Sequence, residues 1–121
     1  VFTDHMGLVD WTAGRGWHDA RIVPRAPLPI DPAAAGLHYG QAMFEGLKAF
    51  RGADGGVRLF RLDRHVRRMG EGAPRLCIPS PDPTLMRNML LAFVDLERKW
   101  VPTGAGTALY LRPTLFATEP F

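Results

Sequence analysis

The spacing of apolar residues changes period at Leu62, and that change constrains the fold more than any other feature of the chain. Before Leu62 the apolar runs are short and broken by glycine and proline. After it Leu62, Val66, Met69, Ala73 and Leu76 recur at intervals of four and three, which lays one stripe along a helix. Asp63 is placed to cap that helix, and Gly70, Gly72 and Pro74 end it near Ala73. A second helix opens at Asp82, a capping residue, with Pro83 in the first helical position. Met86, Met89, Leu90, Phe93, Val94 and Glu97 share one face of it. It stops near Trp100, ahead of Pro102, Gly104 and Gly106.

The flanking segments read as strands. Residues 1–11 predict a first strand, broken by the glycines of "TAGRG". Pro24, Pro27, Pro29 and Pro32 make residues 21–36 extended or loop, because proline removes ladder donors and restricts its predecessor. A short helical turn is expected over 41–46. Asp54-Gly55 lies between "LKAFR" and "VRLFR", so residues 47–51 and 57–61 are predicted to pair as a hairpin. "TALYLRPTLFAT" reads as a closing strand. It sends Leu109, Leu111 and Leu115 one way and Tyr110, Arg112, Thr114 and Phe116 the other. Strands, two helices, then a strand predict an α+β fold, a two-layer sandwich with the helices on one face of a mostly antiparallel sheet.

The 121 residues fit one domain, residues 1–121. A hydrophobic content of 46% comes without any apolar run of about 18 residues, so no membrane span is expected. The single cysteine, Cys77, reads as a small buried hydrophobe, points to a reducing compartment and predicts a cytoplasmic protein. No CxxC or HExxH pattern occurs, so no metal site is expected. Net charge is +3, and every basic residue except Lys48 and Lys99 is arginine, the residue suited to planar anions and phosphates. A nucleic-acid partner is not expected, because "RLDRHVRRM" carries no interleaved aromatic residue. The chain starts at Val1 and stops just after a strand-like run, and is expected to be a fragment of a longer protein.

Three groups of residues could carry chemistry. Tyr110 and Arg112 leave the same strand face about 7 Å apart. A phenol beside a guanidinium suits a carboxylate, although an edge arginine over an exposed tyrosine would look the same. Arg61, Arg64 and Arg68 share one helix face. On spacing alone they form a solvated basic face, with Glu71 pairing to Arg67 or Arg68, or else one of them reaches a phosphate. In "LHYGQAMFEGLKAF" the glycines allow close backbone approach. Lys48 is the conceivable Schiff-base residue, but it reads more simply as a snorkelling strand lysine, and His38 as a hydrogen-bonded structural histidine.

The blocks "HYGQAMFEGLKAFRG", "VRLFRLDRHVRRM", "RLCIPSPD", "KWVP" and "LYLRPTLFATEP", in this order, resemble the N-terminal part of branched-chain amino-acid aminotransferases. These are class IV, pyridoxal-phosphate-dependent enzymes. "VFTDHM" and Gly16-Trp17 fit as well, so the resemblance spans nearly the whole chain. It implies the smaller domain of a two-domain enzyme, in which Arg68 binds the phosphate of pyridoxal 5′-phosphate. It also implies that Tyr39 and Phe44 line the side-chain pocket, that Tyr110 contacts the substrate carboxylate, and that Arg112 receives the side-chain carboxylate of glutamate. The Schiff-base lysine would lie in a larger domain outside this chain, and the fragment would be inactive alone. Leucine, isoleucine, valine and 2-oxoglutarate would be the substrates, and the parent a homodimer. A D-amino-acid aminotransferase, an aminodeoxychorismate lyase or a non-catalytic ligand-binding domain are the alternatives.

Overall fold

The structure, a computed structural model, describes residues 1–120. It contains β1 (His5–Thr12), β2 (Gly16–Pro24), α1 (Ala35–His38), β3 (Ala42–Phe44), β4 (Leu47–Arg51), β5 (Val57–Leu59), α2 (Leu62–Gly72), α3 (Pro83–Leu96), β6 (Leu109–Leu111) and β7 (Thr114–Phe116). All strand pairs among the described residues are antiparallel, in three small sheets ordered β1-β2, β3-β7 and β5-β4-β6.

Alternation decides which face of β4 is buried. Leu47 and Ala49 are inside, and Lys48 between them is exposed. Leu47, Ala49 and Leu111 join one core with Leu62, Val66 and Met69 of α2 and Met86 and Val94 of α3. The helical stripe and the strand alternation therefore meet in one apolar layer, as the α+β reading requires. Leu47, Met69 and Val101 are almost fully enclosed, and each such burial is worth about 1.5–3 kcal/mol.

The Asp54-Gly55 hairpin forms as expected, with Ala49 opposite Leu59 and Arg51 opposite Val57. Gly55 takes φ 78°, and the Asp54 carboxylate accepts the Gly56 N–H at 3.0 Å, which closes the turn. Asp82 caps α3 by accepting the Leu85 N–H at 2.6 Å. Asp63 does not cap α2. It lies inside the first turn, the capping position falls on Arg61 at φ 54°, and no side chain caps that end.

Residues 21–24 are extended as expected, as the end of a strand that runs from Gly16 and that Pro24 terminates; Gly14 and Gly16, both at positive φ, make the turn back from β1. Three other expectations are corrected. The helical turn lies at Ala35–His38, and 42–44 is a strand paired with β7. The closing strand is two strands. Pro113, with no N–H to donate, separates β6 on β4 from β7 on β3. Cys77 is exposed: it ends the turn after α2 in the left-handed region, at φ 54°, and its neighbour Ile78 is the buried residue.

Candidate functional site

Two strands change sheets at the same place. The chain passes from β3 to β4 through Glu45-Gly46, and from β6 to β7 through Arg112-Pro113. Because β3 pairs with β7 and β4 with β6, the two crossings run side by side. The Glu45 N–H donates to the Pro113 carbonyl at 2.9 Å and ties them together. Three of the residues singled out in the sequence, Phe44, Tyr110 and Arg112, flank this crossing, whereas Tyr39 lies at the end of α1 and Arg68 on α2.

Phe44, Tyr110 and Arg112 converge there. The Arg112 guanidinium carbon stands 3.9 Å from the centre of the Phe44 ring and 5.2 Å from that of Tyr110. Its Nη2 donates to the Tyr110 hydroxyl at 2.9 Å. A cation over two aromatic faces is held by their quadrupoles while its remaining N–H groups stay available. All three residues are exposed, so they form an open wall. Gly46 leaves room for the Tyr110 ring in this position: an added Cβ would lie 2.1 Å from its hydroxyl oxygen.

On the other side of the crossing, Glu45 is 3% exposed. A buried carboxylate needs partners, and α2 supplies two. His65 Nδ1 donates to Glu45 Oε2 at 2.8 Å, which requires the proton on that nitrogen. Arg68 Nε donates to Oε1 and Nη2 to Oε2. His65 and Arg68 are three apart on the helix and so reach one acceptor together. The Arg68 hydrogen bond holds the Glu45 carboxyl below the usual carboxylate range against the opposing effect of burial, and His65 adds to it. Arg68 keeps 67% of its side chain exposed.

The other arginines divide up differently. Arg67 pairs with Glu71 at 2.8 Å, and Arg61 lies over the Phe60 ring. Tyr39 is exposed at the end of α1. His38 Nε2 donates to the Pro32 carbonyl at 2.8 Å, the structural role expected of it. Lys48 is exposed on β4, opposite Tyr110 in register. Donor atoms of Asp10, His18 and Asp19 lie within 4.8 Å of one another on the β1–β2 hairpin. Their carboxylates already receive Arg21 and Arg15. Sequence reasoning missed Glu45 and His65 as site residues. A hint existed in the pair His65 and Arg68 at helical spacing, but nothing local named their acceptor.

The branched-chain-amino-acid transaminase 1 of Bacillus subtilis (strain 168) is 49% identical over 119 residues, covering 98% of this chain and 33% of that protein. The chain is homologous to the branched-chain-amino-acid aminotransferases. A probable branched-chain-amino-acid aminotransferase of Staphylococcus epidermidis is 52% identical over 118 residues, again 98% of this chain and 33% of the relative. The chain thus spans about a third of the length of the curated relatives it matches. No protein-family model matches it. Among solved structures, the branched-chain aminotransferase of Thermoproteus uzoniensis with norvaline superimposes with a TM-score of 0.68 at 22% identity, over 84% of this chain and 32% of that one. The branched-chain amino acid aminotransferase of Thermobaculum terrenum in its PLP form gives 0.60 at 20% identity, over 78% and 29%. The antiparallel α+β architecture is thus the one found in part of these aminotransferases.

Proposed function

We propose that this chain is the N-terminal, smaller-domain part of a pyridoxal-phosphate-dependent transaminase that moves the amino group between leucine, isoleucine or valine and 2-oxoglutarate. The observation that carries this reading is the sheet crossing, which sets an aromatic and arginine wall (Phe44, Tyr110, Arg112) beside a separately anchored arginine (Arg68). The relatives at 49% and 52% identity bear the branched-chain name, which favours that member over the other class IV reactions and over a non-catalytic domain.

The residues present fit the cofactor's phosphate. Nε and one edge of Nη2 of Arg68 face Glu45, and Nη1 has no hydrogen bond among the described residues, so the outer edge of an exposed guanidinium remains for an anion. When bound, pyridoxal 5′-phosphate supplies an electron sink to the reacting carbon. This chain's residues bind and orient. Arg68 holds the phosphate, Tyr39 and Phe44 wall the side-chain pocket, Tyr110 meets the substrate carboxylate, and Arg112 receives the acidic side chain of glutamate. The aromatic faces accept an aliphatic chain, and the guanidinium at their edge accepts a carboxylate, so one pocket serves both donors. The lysine that bonds the cofactor belongs to the rest of the protein. The parent acts as a cytoplasmic homodimer, and the unpaired Cys77 fits a reducing compartment. No helix among the described residues is long and apolar enough to cross a membrane.

Arg112→Ala in the full-length protein tests the reading. It should lower kcat/KM for glutamate by about tenfold or more relative to the loss for leucine. Equal losses for the two donors would contradict a role for Arg112 in dual recognition.

A further inference from the structure

We infer that Glu45 is a positioning residue that aims the Arg68 guanidinium at its anion, with His65 holding Glu45 in place. The inference rests on Arg68 being the phosphate contact. Arg68 is 67% exposed on a helix surface, and a free arginine there has rotamer freedom to lose on binding. Here Nε and Nη2 already donate side-on to the two Glu45 oxygens. The fork is rigid and planar, so fixing one edge fixes the direction of the other, which carries Nη1. Glu45 cannot follow a moving partner. It is 3% exposed, its Oε2 also accepts His65 Nδ1 at 2.8 Å, and its N–H is bound to the Pro113 carbonyl at 2.9 Å. That last bond places the anchor on the sheet crossing that also carries Arg112. The phosphate contact and the substrate wall therefore share one rigid mount, and preorganisation of this kind removes ordering cost from binding.

The test uses the full-length protein and two probes, pyridoxal 5′-phosphate and pyridoxal, which lacks the phosphate, with binding followed by cofactor absorbance at equilibrium. Glu45→Gln should weaken pyridoxal 5′-phosphate by about tenfold, leave pyridoxal within about twofold, and add no further loss to Arg68→Ala. Arg68→Lys keeps the charge but cannot form the fork, and should lose about as much affinity as Arg68→Ala. Equal losses from Glu45→Gln with and without Arg68→Ala would make Glu45 a structural clamp and overturn the inference. If Glu45→Gln does not fold, Arg68→Lys decides, and wild-type affinity in that variant overturns the inference too. Unchanged affinity in Arg68→Ala would remove the phosphate role of Arg68 itself, a failure distinct from the other two.

Discussion

An added Cβ at Gly46 would sit 2.1 Å from the Tyr110 hydroxyl oxygen and 2.9 Å from its ring carbon Cζ. The clash is with the far end of an exposed side chain, so the ring can turn away at little cost to folding. Gly46→Ala should change stability by less than about 1 kcal/mol, read from the urea midpoint. It should nevertheless break the Tyr110–Arg112 contact and raise KM for glutamate in the full-length protein. Buried Gly36 differs. There a Cβ would meet three atoms of the Phe116 ring, the nearest at 2.6 Å, and Gly36→Ala should cost about 1–3 kcal/mol by overpacking. Glu45 carries a pH dependence. Its pKa is lowered from the ordinary 4.5, chiefly by the Arg68 hydrogen bond. The folded state therefore favours the carboxylate. Its contribution is complete above that ordinary value and drains away as the pH falls through the lower folded one. Between about pH 7 and about pH 3 the urea midpoint of wild type should fall further than that of Glu45→Gln. An equal fall would show that another carboxylate dominates. The roles expected of single residues were legible only where the partner was close in sequence. Arg67 with Glu71 follows from helical spacing, whereas Arg68 with Glu45 spans 23 residues and has no local signature.

Elements were legible where breakers and caps are local. The helix at Pro83–Leu96 follows from Asp82 and Pro83, and removing the cap by Asp82→Ala should cost about 1 kcal/mol, seen as a lower urea midpoint with an unchanged slope. The Asp54-Gly55 hairpin likewise depends on a turn that its own residues close. Elements that depend on a distant neighbour were misread. Residues 42–44 are short and lie close after Gly40, so they suit a helical turn as well as a strand. They become β3 because β7 offers Thr114–Phe116 as a partner. "TALYLRPTLFAT" alternates as one strand should, yet its halves pair in different sheets because Pro113 cannot continue the ladder. A positive-φ cysteine at the end of a short turn is invisible to hydrophobicity, and so Cys77 was expected to be buried.

At the scale of the whole molecule, Leu37, Tyr39, Phe44, Phe60 and Tyr110 are all exposed large hydrophobics. Exposed apolar side chains in this number favour association. The isolated 121-residue polypeptide should therefore self-associate, with an apparent mass that rises with concentration in sedimentation equilibrium. A monomer at all concentrations would show that this surface tolerates water. The sequence by itself determined the α+β class, the apolar stripes of both helices, the central hairpin and the homology to aminotransferases, because each is written in short-range spacing or in ordered blocks. Only the tertiary structure decided that Phe44 joins Tyr110 and Arg112 in one wall, and that Glu45 binds His65 and Arg68. The Glu45–His65 and Phe44–Arg112 contacts join residues 20 and 68 apart. Periodicity states which face a side chain takes, but the partner it meets there is set by how the sheets cross and the helices pack.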